Sequence, residues 1–323
     1  MNKGILFTAA LSALAMASCN REQHPASDRP ATIKVSIQTP SRTRATGIRY
    51  ELDEADVDNL QVFVFKDGEL ENYASTDVTS VDMTATTGTR QVWAIANAPD
   101  LSGITTLAEL TETASLLSDN DLGHFVMSGD VEQELTDGAT VYITVRRIVA
   151  RVSIEKIETS FQFNLAKEKL QVDGIYLINV AADNTYLGVS EPEEWVNQLR
   201  HEDRGYEALL YDGLDVEVDN DHPYEAEHVF YPYPNPTVAD TYADEWSPRH
   251  TMLVIEVTFQ GEKGYYPIPL PVIERNKAYV IRAVDISSRP GDDPYKPIET
   301  GSCNVTITVH DWETGEDLGT IEI

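Results

Sequence analysis

The sequence predicts a mainly β protein built as two tandem β-sandwich domains with one or two short helices. Three observations carry this. Short segments in which apolar and polar residues alternate recur along the chain, the period of a strand with one buried face. Turns rich in Gly, Pro and Asp separate them at short intervals. The chain has 323 residues, 41% of them hydrophobic, with a mean hydropathy of -0.30, which is enough to fill two cores of ordinary size.

Residues 1–18 read as a secretory signal. Lys3 supplies a positive start, and an apolar run follows that is too short to span a bilayer comfortably. The run ends in Met16-Ala17-Ser18-Cys19, which is similar to a bacterial lipobox with Met16 in place of the usual Leu. Cys19 is then the lipidated residue, and Asn20 after it fits sorting to the outer membrane. The plainer alternative is an ordinary signal peptide with an incidental Cys. Residues 20–30 are polar, with Pro25 and Pro30, and read as a tether.

The first strand comes next. Ile33, Val35 and Ile37 fall on one face, and Pro40 ends the run. Residues 41–47 are small and polar and include Arg42 and Arg44, so they read as an exposed loop open to a trypsin-like protease. Strands follow at 60–65, turned by Asp67-Gly68, and at 90–97. A helix is expected over 105–118, with Leu107, Leu110, Ala114 and Leu117 at helical spacing and Thr106 with Glu109 in a capping-box pattern. Residues 131–136 and 141–154 return to β. Within the latter the apolar face flips between Val145 and Ile148, which calls for a bulge at Arg146-Arg147 or a strand that crosses between sheets.

The second half repeats the pattern, with strands at 175–180, 251–259 and 278–286. Pro267, Pro269 and Pro271 sit at alternate positions, so one side of that segment lacks N–H donors and belongs at a sheet edge. A short helix is expected around Trp195, over 193–200. The acidic, Tyr- and Pro-rich stretch 201–248 reads as an elaborated surface loop. The boundary between the two domains is placed just after Ile154. At the end of the chain Val305, Ile307 and Val309 again share one face, and 318–323 offers a second short strand. A flexible break at 290–294 precedes them. This terminal segment either closes its own sheet or swings out to pair with another molecule.

Charge and motifs exclude several function classes. Fifty-four acidic against 24 basic residues give a net charge of -30, the wrong sign for a phosphate backbone or a polybasic lipid contact. Two cysteines, Cys19 and Cys303, make no disulfide framework. The chain has no nucleophile elbow, zinc-protease helix, phosphate loop or dinucleotide fingerprint, so no cofactor, no metal and no catalysis are expected. The seven histidines are scattered, and His222 with His228 match no ligand spacing. Residues 215–219 alternate Asp or Glu with Val, but a calcium loop would need Gly and Glu where Asn220 and Ala226 stand; a strand with an acidic, solvated face fits better. Tyr231 and Tyr233, interleaved with Pro232 and Pro234, offer either a sugar-stacking surface or a stiff polyproline-like segment.

Taken in order, these segments resemble a family. The Cys19 lipobox with its distant Arg-rich loop, the strands at 60–65 and 92–97, Met127-Ser128-Gly129, Arg147 to Val152, Arg275 to Val280, Gly291 to Pro294 and Val305 to Trp312 are together similar to a fimbrillin, a subunit of the type V pili of Gram-negative anaerobes of the Bacteroidales type. The resemblance implies two transthyretin-like sandwiches and export as a lipoprotein. It also implies removal of the first strand by an Arg-specific protease. The implied organisation is a signal at 1–18, a lipidated propeptide at 19–44 holding the removable strand, and domains at 45–154 and 155–323. The matching cut follows Arg44, leaving Ala45 first, with Arg42 as the second candidate.

Physical logic points the same way. Removing Ile33, Val35 and Ile37 would open an apolar groove between unpaired edges, and a strand of like alternation must refill it. Val305, Ile307 and Val309 of another copy have that alternation. Such head-to-tail contacts do not close and so propagate a filament. The expected partners are copies of the chain or related pilus subunits, with the outer membrane holding the Cys19 lipid before the cut, and the expected destination is an extracellular fimbrium supporting adhesion. The rival expectation is a surface glycan-binding lipoprotein.

Overall fold

The computed structural model describes residues 28–39, 44–46, 51–188, 191–237, 245–296, 303–312 and 316–322. In chain order the first half holds β1 (Pro30–Gln38), β2 (Arg44–Thr46), β3 (Glu51–Asp53), β4 (Leu60–Lys66), β5 (Glu69–Thr76), β6 (Ser80–Thr86), β7 (Gly88–Ala96), α1 (Leu107–Glu112), β8 (Ala114–Leu116), β9 (Met127–Leu135), β10 (Thr140–Thr144) and β11 (Arg146–Arg147). The second half holds β12 (Arg151–Thr159), β13 (Leu170–Ile178), β14 (Val180–Ala181), β15 (Asp183–Thr185), β16 (Trp195–Val196), α2 (Glu207–Leu210), β17 (Tyr211–Val218) and β18 (Tyr224–Phe230). It ends with β19 (Met252–Phe259), β20 (Glu262–Pro269), β21 (Lys277–Ile286), β22 (Cys303–Asp311) and β23 (Asp317–Glu322).

Two sandwiches result, as expected. In the first, a three-stranded sheet ordered β10-β1-β6 covers a five-stranded sheet ordered β11-β9-β7-β4-β5. Their shared core contains Ile33, Val35, Leu60, Val62, Val64, Val92 and Ile143. β4 is buried on both faces, because Phe63 and Phe65 point away from β1 into the larger core shared with the second half. In the second sandwich a sheet ordered β18-β12-β21-β22-β23 packs on one ordered β17-β13-β19-β20. β20 lies at an edge, where its alternating prolines place it. The turn between β4 and β5 has positive φ at both Asp67 (52°) and Gly68 (86°), the backbone a tight two-residue hairpin requires.

The flipped apolar face at 141–154 is a strand crossing. β10 pairs with β1, β11 with β9, and β12 with β18 and β21, so the chain visits three sheets within twenty residues. Where β9 passes close to β10, Gly129 is obligatory in size: a Cβ there would lie 2.2 Å from the Thr144 carbonyl oxygen. Ile154 falls inside β12, all of whose strand partners belong to the second half, so the crossover itself runs through the buried Ile148-Val149-Ala150.

Three local expectations are corrected. The helix expected over 105–118 stops at Glu112. Thr106 and Glu109 do form the capping box, but Ala114–Leu116 are drawn into pairing with Asp183–Thr185 of the second half. Trp195 is not helical; with Val196 it pairs to Val180 and Ala181. Residues 201–248 are largely not a surface loop. They supply two sandwich strands, β17 and β18, in which Asp215, Glu217 and Glu225 face water while Val218 and Phe230 enter the core and Asp212 is buried against His228.

The halves are joined end to end. Leu60, Ala96, Met127 and Arg147 mark the joined end of the first sandwich; Arg151, Phe230, Met252 and Lys277 mark that of the second. The free end of the first sandwich carries Pro30, Lys66, Thr86, Gly88 and Leu135. That of the second carries Thr159, Leu170, Phe259, Ile286 and Cys303.

Candidate functional site: the slot of the first strand

β1 is not an edge strand. It lies between β6, antiparallel, and β10, parallel, with Ile33 opposite Met83, Val35 opposite both Val81 and Val141, and Ile37 opposite Ile143. Ala31, Ile33, Val35 and Ile37 are buried, and the intervening residues face outward. The strand is also held along its flanks. Lys34 N donates to the Ala139 carbonyl (2.9 Å), Ile37 N to the Thr79 carbonyl (3.0 Å), and Val145 N to the Gln38 carbonyl (3.1 Å). Withdrawal of β1 would therefore bare an apolar floor and two backbone edges at once.

Ahead of β1, Asp28 closes the slot at the free end. Its carboxylate accepts from Lys66 Nζ (2.7 Å) and Arg90 Nη2 (3.2 Å), and Arg90 Nε also bonds Glu71 (2.6 Å). The Lys66 ammonium, with Arg90 behind it, holds the Asp28 carboxyl below the usual carboxylate range. Nothing in the local sequence marks Asp28; the pattern of the first strand starts after it.

The expected cleavage bond, Arg44–Ala45, lies in strand geometry rather than in an open loop. Arg44, Ala45 and Thr46 pair with Asp53, Leu52 and Glu51. The loop expectation at 41–47 is corrected for these three residues, whose backbone pairs with that of residues 51–53 in a short ribbon. Arg42, Cys19 and the signal segment lie outside the described residues.

This ribbon runs directly into Glu54, a residue that sequence reasoning missed within an acidic stretch. Glu54 is 1% exposed. It accepts from Tyr231 Oη (2.7 Å) and Trp312 Nε1 (3.1 Å) and lies 3.4 Å from Arg151 Nε. Arg147 Nε donates to the Glu54 carbonyl (2.7 Å), and its guanidinium stacks 4.3 Å over the Trp312 ring. The segment after the expected cleavage site is thus tied to Trp312, the residue that follows β22.

The proposed donor residues sit in their own domain. Val305 and Ile307 are buried in the second core and Val309 packs against it; opposite them on β21 stand Val284, Ile281 and Tyr279. β23 covers the other side of β22 and is exposed along its whole length, Leu318 and Ile321 included. Beside Val305, burial pushes the Cys303 thiol up to about 12, and it is unpaired. β1 and β22 share a direction: each starts at a free end of the molecule and runs toward the joint between the halves.

Other candidates resolve plainly. Tyr231 and Tyr233 are buried, with Tyr233 Oη bonded to Ser115 and Asn120, so they offer no sugar platform. His228 pairs with Asp212, and His222 with Asp219 at 2.9 Å. Among the described residues there is no group of three or more His, Cys, Asp or Glu that could hold a metal ion, and no helix long and apolar enough to cross a membrane. The guanidinium of Arg275 staples the halves by donating to the carbonyls of Arg146 (2.6 Å), Arg147 (3.2 Å) and Leu187 (2.8 Å).

Residues 31–171, which include the whole slot, match the family model described as major fimbrial subunit protein (FimA). Over these residues the chain is similar to the fimbrillin family. The chain aligns with the major fimbrium subunit FimA type-2 of Porphyromonas gingivalis at 28% identity over 216 residues, 59% of this chain and 55% of that relative. In that alignment the chain spans about half the relative's length. A second FimA type-2 sequence from the same organism aligns at 25% identity over 97% of this chain and 98% of its own. A fimbrilin crystal structure from P. gingivalis superposes with a TM-score of 0.65 at 15% identity, covering 88% of this chain and 98% of that one. A candidate cell adhesion protein from Bacteroides eggerthii gives 0.66 at 18%, covering 88% and 97%. At such identities the likeness is one of fold, and it extends the fimbrillin architecture over both sandwiches.

Proposed function

We propose that this chain is a structural, non-catalytic subunit of a cell-surface fimbria. It is exported as a lipoprotein on Cys19, cut after Arg44 and polymerised by strand exchange in support of adhesion. The position of β1 carries this reading. A strand at the centre of a sheet, contributed by the segment ahead of an Arg-containing ribbon, leaves a complete slot when it departs. Val305, Ile307 and Val309 of a second copy fit that slot by alternation and by direction. Stacking the free end of one second sandwich on the free end of the next first sandwich sends β22 into the slot along the path of β1. Parallel pairing with β10 and antiparallel pairing with β6 are then preserved. Each buried apolar anchor contributes roughly 1.5–3 kcal/mol, so three anchors with ladder hydrogen bonds support a lasting contact.

The precursor should take up radioactive palmitate at Cys19. Subunits sheared from surface filaments should carry no label and should begin at Ala45 on N-terminal sequencing. An intact N-terminus in assembled filaments would overturn both the cut and the mechanism.

A further inference from the structure

The two free ends carry a second, side-chain complementarity. At the free end of the second sandwich, the loop between β12 and β13 presents Phe163. It is 95% exposed, and its backbone is held at φ 53°, a conformation bulky residues rarely adopt. Phe161, two residues earlier, is buried, so the loop is anchored and Phe163 is displayed on a fixed stem. Thr159, Ile286 and Cys303 stand side by side at this end, so the loop that carries Phe163 leaves β12 two strands away from the start of β22. At the free end of the first sandwich, next to the mouth of the slot at Pro30 and Thr86, lies a surface pocket. It is lined by Asp28, Lys66, Asp67, Glu69, Leu70, Glu71 and Thr86 and has a volume of about 490 Å3. Asp28 is the only one of these seven that a cut after Arg44 would remove.

We propose that Phe163 of one copy docks into this pocket on the next copy, and that removal of Asp28 opens the pocket for it. The inference rests on the head-to-tail reading above and names a second contact within it. Losing Asp28 widens the pocket and strips Lys66 of the carboxylate 2.7 Å from its ammonium, while Arg90 keeps Glu71. The freed ammonium can then lie over the face of an aromatic ring, and Leu70 supplies an apolar floor. In the uncut chain Asp28 occupies that place, so the contact is specific to processed subunits.

The experiment uses full-length chain cut after Arg44. Phe163→Ser should melt at the wild-type temperature, because the side chain is in water, but should raise the critical concentration for assembly by about tenfold. In a chain with Cys19→Ser and Cys303→Ser, the double variant Phe163→Cys with Glu69→Cys should give a ladder of disulfide-linked oligomers under oxidation after the cut. The same variant uncut, and each single variant cut, should give none. Filaments that form normally from the double variant yet yield no ladder would overturn the pole contact and leave strand exchange standing. A Phe163→Ser critical concentration equal to wild type would do the same. Wild-type protein that fails to assemble after cutting would overturn the strand-exchange reading, and the pole contact with it.

Discussion

Asp28 reports on whether the first strand is seated. Its carboxyl is held below the ordinary range by Lys66 and Arg90, so the charged form is favoured in the folded precursor. A carboxyl lowered in the folded state stabilises that state above its unfolded value, and the contribution disappears as pH falls through the lowered value. Asp28→Asn should therefore melt below wild-type precursor at neutral pH by a small margin, since the site is solvated. The margin should close as pH drops below the normal carboxylate range. A gap of constant size down to pH 2 would place the effect elsewhere than in the charge. Glu54 differs in that its side chain is wholly buried. Glu54→Ala removes the acceptor for Tyr231 and Trp312 and leaves Arg151 one partner short, so a loss of about 3–5 kcal/mol is expected in denaturant melts. Glu54→Gln, which keeps an acceptor oxygen, should lose less.

Among the elements, β22 would serve two sites in the proposed filament. In this structure it completes its own sheet, and the filament reading asks it to leave. Ile307→Asp tests both roles, because a carboxylate in either groove is costly without a partner. A cut, secreted monomer that does not polymerise is the expected outcome, with lowered thermal stability because Ile307 is fully buried at home. Normal polymerisation of that variant would refute the donor role. Deleting residues 318–323 separates the hairpin's two strands: β23 is exposed throughout, so the monomer should keep its melting temperature while filaments weaken. The same contrast explains what the sequence made legible. β1, β4, β7 and β22 announced themselves because alternation or a long apolar run fixes which face is buried. The prolines of β20 announced an edge. β17 and β18 stayed hidden because their outward residues are acidic and Tyr- and Pro-rich neighbours surround them, so composition read as loop where alternation was present. Trp195 was misread because two residues in a minor ribbon carry no period at all. Glu54 could not have been found by pattern, since its partners, Tyr231 and Trp312, lie 177 and 258 residues away.

At the scale of the whole molecule, charge opposes assembly. Residues 1–44 carry six Lys or Arg and two Asp or Glu, so the proposed cut would move the net charge from -30 to -34. Copies of such a chain repel one another at long range, and the repulsion acts on encounter rather than on the seated strand. Screening should relieve it: between about 0.01 M and about 0.1 M salt the Debye length falls from about 30 Å to about 10 Å. In the proposed contact the strand would be held by Val305, Ile307 and Val309 and by backbone pairing, which salt leaves nearly untouched. The polymerisation rate of cut protein should therefore rise with salt over this range, while the rate at which finished filaments shed subunits should barely move. Light scattering during assembly and dilution of preformed filaments give the two rates separately. An assembly rate that fell with salt would mean that attraction between unlike charges, such as Lys66 with an acidic neighbour, governs encounter in place of the apolar slot.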